Sequence, residues 1–357
     1  MSHFENGRSP EEYNAYIGRK CIFLFLLLVL CMFFFILAVS LGAVRIPALE
    51  VVKTFFGLSS DPRFNIIILN IRLPHALAAL LAGAGLAAAG AAMQSILRNP
   101  LGSPFTLGIS QAGAFGAAFA VMIMGSGVMQ STQVGAVTIA NPYLTTIIAF
   151  IFCMIASMVI VAIARLRGAT PEVMVLSGVA LGSLFGAGTM FLQYFADDVQ
   201  LAAMVFWTFG DVARAGWGEI RIMAAVVGVS VLFFIYNRWN YNAIDAGDET
   251  AKGLGVRVEV VRMAGMMVAS LVTATIVSFL GIIGFVGLIC PHIVRRVIGD
   301  DHRFLMPASC LTGGILLLAS DTVARLMLAP HVLPVSILTA FLGAPTFLYL
   351  LIRRRIR

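Results

Sequence analysis

Residues 21–44 read CIFLFLLLVLCMFFFILAVSLGAV, an apolar run without a single charged side chain. At 1.5 Å of rise per residue, a run of this length crosses the roughly 30 Å hydrocarbon core of a bilayer. Inside hydrocarbon each backbone N–H and C=O must be satisfied within the segment itself, so the run has to be a helix. The same length rule, carried along the chain, predicts spans near 21–44, 73–97, 107–128, 144–164, 172–195, 220–237, 261–280, 283–298, 305–329 and 336–352. The eighth is glycine-rich and carries Pro291, which makes it short or bent. The expected fold class is an all-α polytopic membrane protein of about ten transmembrane helices.

Composition agrees with that reading. Hydrophobic residues make up 60% of the 357 and charged residues 11%, against about half and about a quarter in a soluble domain. The short alternating segments of a membrane β-barrel are missing. The net charge of +7 is spread in short clusters between apolar runs, with no basic tract interleaved with aromatics, so nucleic acid is not an expected partner. With the N-terminus inside, the inner segments hold Arg8, Arg19, Lys20, Arg98, Arg165, Arg167, Arg238, Lys252, Arg257, Arg262, Arg295, Arg296, Arg303, Arg353, Arg354, Arg355 and Arg357, which is 17 of the 24 Lys and Arg. That asymmetry follows the positive-inside rule and places both termini in the cytoplasm. Removing one span would move the RRRIR tail outside. Residues 1–20 form a polar cytoplasmic segment, and residues 21–357 a single transmembrane domain. The first run is too long for a signal-peptide core and is read as a retained span.

Outer loops 45–72 and 196–218 mix aromatics with charges, as interfacial helices do. The inner loop 238–260, RWNYNAIDAGDETAKGLGVRVEV, is the longest polar stretch after the N-terminal head. Small residues recur at four-residue spacing in Gly178, Gly182, Gly186 and in Gly108, Ala112, Gly116, Ala120. Such ladders let helix backbones approach closely.

Chemistry of the bond-breaking kind is not written in this chain. A P-loop needs Gly-Lys-Ser/Thr, and none of the three lysines (Lys20, Lys53, Lys252) follows a glycine. Any ATP must therefore be bound by a partner chain. The spans hold few ionisable groups of the sort that carry coupled ions. Asp321 and Arg325 stand one turn apart and form an expected i,i+4 pair. The five histidines share no catalytic motif, and the five cysteines are scattered without a C-x-x-C. Cys290, Pro291 and His292 stand side by side, but a metal site takes three or four converging ligands. Cys290 and His292 lie on different helix faces. Their expected use is structural, and no resident metal or cofactor is expected.

Several stretches together resemble the FecCD family, the permeases of ABC importers for iron chelates, haem and vitamin B12. Residues 72–111, RLPHALAALLAGAGLAAAGAAMQSILRNPLGSPFTLGISQ, are similar to the family's second span and the turn after it. SGVALG (177–182), GDETAKGLG (247–255), the stretch 281–303 and SDTVARLMLAPHVLPVSILTAFLGAPT (320–346) match elsewhere. The resemblance runs from about residue 65 to near the C-terminus and implies a type II ABC importer permease fold. It also implies a second permease copy or paralogue, two cytoplasmic ATPase subunits and an extracytoplasmic substrate-binding protein. In that family the inner loop is the ATPase-coupling element, which falls here on Asp248, Glu249, Gly253, Leu254 and Gly255. Outer arginines meet acidic groups of the binding protein, and the matching positions are Arg72 and Arg325. The family often has arginine where this chain has His75. The inner gate falls near Thr170, with Gly178 and Gly182 close to the path. The expected cargo is a ferric siderophore, with vitamin B12 or haem as alternatives. The expected place is a bacterial or archaeal cytoplasmic membrane. An ATPase-independent secondary carrier is the alternative from another class, and a structural scaffold would have no use for the inner loop.

Overall fold

Residues 73–96 are largely alanine and glycine, and side chains this small let other helices press against every face of the helix they form. In the computed structural model, which describes residues 11–42, 44–58, 61–129, 137–139, 141–327 and 332–354, this segment is the centre of the molecule. In chain order the helices are α1 (Glu11–Ser40), α2 (Ala48–Phe55), α3 (Pro62–Ile67), α4 (Leu73–Ile96), α5 (Ile109–Met122), α6 (Pro142–Leu166), α7 (Pro171–Phe195) and α8 (Asp198–Thr208). They continue with α9 (Trp217–Tyr236), α10 (Arg238–Asp245), α11 (Asp248–Gly253), α12 (Val258–Leu280), α13 (Val286–Ile298), α14 (His302–Met327) and α15 (Val335–Arg354). A π-turn, Ile68–Arg72, joins α3 to α4 without a break.

Each expected span coincides with one of these helices. Seven are long and apolar enough to cross a membrane, and α5 and α15 are shorter apolar helices. The remaining one, α13, has 13 residues and carries Pro291, or about 20 Å of helix. Its start is delayed by an irregular segment in which Gly281 and Phe285 both take positive φ. Three boundaries differ from expectation. First, α1 begins at Glu11, so the described part of the polar head is the first turns of the same helix rather than a separate segment. It stops at Ser40, for a reason that lies at its carbonyls. The third expected span ends early at Met122, because Gly125 turns the chain into a small antiparallel hairpin, β1 (Gly127–Met129) with β2 (Val137–Ile139). Both outer loops do form helices, α2 and α3 in one and α8 in the other.

The hydrophobic effect does not hold helices together in lipid, so close backbone contact must. A Cβ on Gly83 would lie 2.1 Å from the Gly313 carbonyl oxygen, and one on Gly90 would lie 1.7 Å from that of Gly287. These two crossings seat α14 and α13 on α4. Off to one side, α5, α6 and α7 are joined by Phe115, Phe119, Phe152 and Phe185, with Phe115 and Phe152 edge-to-face at 5.0 Å. Such ring pairs add about 0.5–1.5 kcal/mol each beyond their buried area. Burial grades outward from the centre: 78% of the most apolar window of the helix containing α4 is buried, against 17% for α1 and 17% for α7. The exposed faces of α1 and α9 present Phe25, Leu26, Phe33, Val229 and Leu232, which suits contact with acyl chains.

Candidate functional site

Polar side chains gather at the two ends of the bundle. At one end the loop 238–260 folds as α10 and α11, with Asp248 and Glu249 in the first turn of α11 and Lys252 in its last. Acids suit a helix N-terminus and bases a C-terminus because of the macrodipole. Gly255 reverses the chain at φ +83°, which favours glycine. Leu254 between them is 70% exposed, and Lys252 meets Glu249 at 3.0 Å. Nearby, Thr170 caps α7, its hydroxyl accepting from the Val173 N–H. These two expected features are brought together by Arg262, which the sequence marks only as one more charge beside a span. Arg262 is 2% exposed. Its Nη2 donates to both Asp248 oxygens at 2.9 and 3.1 Å, its Nη1 to the Ala169 carbonyl at 3.0 Å, and its Nε to the Ile96 carbonyl at 2.6 Å. One signal was available: an arginine at the second position of a predicted span must find partners.

A second cluster ties the rest of this end. Ser95 Oγ lies 2.7 Å from His302 Nε2 and donates to Asp245 Oδ2 at 3.1 Å, while His302 Nε2 lies 3.1 Å from the same oxygen. Arg295 donates to Ser95 Oγ at 2.9 Å and approaches Asp245 at 3.5 Å. Burial raises the Asp245 pKa, yet the His302 hydrogen bond, the His302 and Arg295 charges and Ser95 together hold it below its ordinary value. The cluster joins α4, α10, α13 and α14. A cavity of about 610 Å³ opens beside it, lined by Arg98, His292, Arg295 and Arg296 among others.

At the other end, Arg72 and Arg325 converge on the last turn of α1. Arg72 is 5% exposed. It donates to the carbonyls of Val39 at 2.9 Å, Ser40 at 2.7 Å and Val44. Arg325 donates to Ala38 at 3.1 Å and Leu41 at 3.4 Å, and its Nε stands 2.9 Å from Asp321 Oδ2, the expected i,i+4 pair. Both forks are thus occupied by the chain itself. Among the described residues, Arg45, Arg63, Arg214 and Arg221 are exposed at this end.

Gly178 and Gly182 are used within the chain. A Cβ on Gly178 would meet Leu107 at 2.8 Å, and the Cα of Gly182 lies under Gly108, where a Cβ would come within 2.6 Å of it. The two glycines also border an open hollow of about 270 Å³ with Thr106, Gln111 and Ser183. Gln111 and Ser183 were not singled out from the sequence. Cys290 is fully buried, His292 faces the basic cavity, and among the described residues no three His, Cys, Asp or Glu converge as a metal site.

A many-helix membrane bundle with a polar helical loop at one end and a glycine-lined hollow along an exposed helix is the architecture of a transport permease. The chain belongs to the FecCD transport family, which it matches over residues 29–353, and it is an ABC importer permease of that family. A protein of Methanocaldococcus jannaschii provisionally named an ABC transporter permease is 56% identical over 344 residues, covering 96% of this chain and 98% of that one. The cobalamin import system permease protein of Halobacterium salinarum is 41% identical, covering 88% of this chain and 82% of its own. The hemin transport system permease protein of Yersinia pestis is 34% identical, covering 88% and 92%. An inward-facing solved structure, provisionally assigned as a metal-chelate type ABC transporter, superposes with a TM-score of 0.80 at 28% identity, covering 93% of this chain and 99% of that one.

Proposed function

We propose that this chain is the membrane half-channel of an importer that carries an iron chelate whole, with a ferric siderophore as cargo. Two copies, or this chain and a paralogue, enclose the path between them. Two ATPase subunits bind at the α10–α11 end, which is cytoplasmic, and a substrate-binding protein lands on the opposite face. The observation that carries this reading is the exposed tip of α11: an apolar Leu254 at the C-cap of a six-residue helix that carries Glu249 and Lys252 is built to enter a cleft of another protein. Burying an apolar side chain of this size in such a cleft contributes about 1.5–3 kcal/mol.

Thr170 and the turn before α7 form the inner gate, and the hollow beside Gly178 and Gly182 belongs to the path. Its neutral lining suits a bulky chelate that must not be held tightly. No side chain needs to ligate the iron, because the chelator travels with it. Arg72 and Arg325 hold the end of α1 in place on the docking face, and Arg45 and Arg63 are free to reach acidic groups of the binding protein. A second reading, vitamin B12 as cargo, is favoured by the 41% identity to the cobalamin permease.

The test is uptake into vesicles containing this chain, its ATPase and its binding protein, with ferric siderophores, hemin and cobalamin supplied in turn. Saturable uptake of a ferric siderophore only with ATP inside supports the proposal. Cobalamin uptake alone selects the second reading, and uptake without ATP makes the chain a secondary carrier instead.

A further inference from the structure

Arg262 is the only contact through which the inner loop and the gate turn share one side chain among the described residues. We propose that Arg262 is a positioning residue for transport: it carries displacement of the α11 loop to the turn between α6 and α7. The proposal rests on the reading of that loop as the ATPase-coupling element.

The geometry divides one planar fork among three segments. Nη2 is clamped by both oxygens of Asp248 on α11, Nη1 by the carbonyl of Ala169 in the gate turn, and Nε by the carbonyl of Ile96 at the end of α4. The side chain has no room to act alone, being among the largest fully buried groups in the molecule. Its three anchors differ in freedom. Asp248 is the loose one: its side chain is 30% exposed, and its short helix lies between Gly247 at φ +120° and Gly255 at φ +83°. Ala169 is the strained one. It is buried and holds φ +50°, a conformation that costs a non-glycine residue and persists only where its surroundings impose it. Ile96, deep in the bundle, is the fixed one.

A rigid guanidinium cannot follow one partner without turning against the others. Letting go of Asp248 would leave a buried charge uncompensated, which is the costlier outcome. When α11 is displaced, the fork therefore follows its carboxylate, pivots about the Ile96 carbonyl and withdraws the hydrogen bond that holds Ala169. Thr170, the next residue and the cap of α7, is then released from its present arrangement. This is a two-state element of the kind that turns a small loop movement into gate movement. A lysine places one point charge where three directions are needed, so it cannot perform the same task.

The test uses the complete transporter with its ATPase and binding protein, on a background with Cys21 and Cys310 replaced by alanine. One environment-sensitive probe is placed at Thr250→Cys to report the loop, and in a separate preparation one at Arg167→Cys reports the gate turn. Both sites are exposed. A non-hydrolysable ATP analogue is expected to move both signals in the unsubstituted chain. In Arg262→Lys and in Asp248→Asn, the loop signal persists while the gate response falls by about fivefold or more, as does uptake per ATP hydrolysed. Asp248→Asn keeps the side-chain size at a partly exposed site, so it remains informative if Arg262→Lys does not fold. A gate response that survives in Asp248→Asn, or unchanged uptake per ATP, overturns the proposal. A loop probe silent in the unsubstituted complex sinks the coupling-loop reading, and the proposal with it.

Discussion

The carbonyls of Ala38, Val39, Ser40 and Leu41 end a long helix where little water competes for them, and Arg72 and Arg325 supply the missing donors. Helix ends leave their last carbonyls without intrahelical partners, and a buried orphan carbonyl is expensive. Arg214 does the same for α8, donating to the carbonyls of Phe206 at 2.5 Å and Trp207 at 3.0 Å. Arg262 extends the device by adding a carboxylate. The Asp245 cluster obeys a related logic, with a carboxylate placed to accept from several donors at once. Because the folded-state pKa of Asp245 lies below its ordinary value of 3.8, the stabilisation is complete above that value. It is lost as pH falls through the lower folded value. The contribution of Asp245 to the melting temperature is expected to be constant from pH 7 to about 5 and to fall on further acidification. Asp245→Asn should melt lower at pH 7 and show a shallower acid drop, as read by thermal unfolding in detergent. An acid limb identical in the two proteins would assign the loss to other carboxylates.

Glycine crossings decide where the elements sit. Gly90 and Gly287 place the backbones of α4 and α13 so close that no side chain fits between them, whereas Gly228 on α9 has open space around its Cβ position. Gly90→Ala is therefore expected to destabilise by about 1–3 kcal/mol or to prevent folding, as overpacking does. Gly228→Ala should be neutral or gain about 0.5–1 kcal/mol from helix propensity. Equal thermal stabilities for the two variants would contradict the crossing. The same contrast shows how far the sequence could be read. Ten apolar runs became ten helices, since length and hydropathy are local quantities. The shortness of α13 was also legible, from Gly281, Gly284, Gly287 and Pro291. The partner of each small-residue ladder was not, because Gly90 meets Gly287 nearly two hundred positions away. For the same reason the sequence, which assigns Arg72 to docking by resemblance, does not show that the carbonyls of α1 hold its fork. Arg262, Gln111 and Ser183 gave only weak signals, since each acquires its meaning from a neighbour that folding brings to it.

Taken as a whole, the molecule has an Ala- and Gly-rich centre, a lipid-suited periphery, and two ends that are wired differently. At the α1 end, arginines close the chain upon itself. At the α10–α11 end, Arg262, Asp245 and His302 link four helices to a loop whose tip faces outward. A tip so placed stores no stability in Leu254, which is 70% exposed. Leu254→Asp should leave the melting temperature of the permease unchanged, within the range of surface substitutions of about 0.5 kcal/mol. In a cleft of the ATPase, however, the same change puts a desolvated charge where an apolar anchor sat. Burying a leucine side chain contributes about 2 kcal/mol, so affinity for the ATPase should fall by about thirtyfold. Titration of detergent-purified permease with the ATPase measures the two effects separately. Weakened binding with unchanged melting places the contact at the tip of α11. Unchanged binding moves it elsewhere on that end, towards the basic cavity bounded by Arg98 and Arg296.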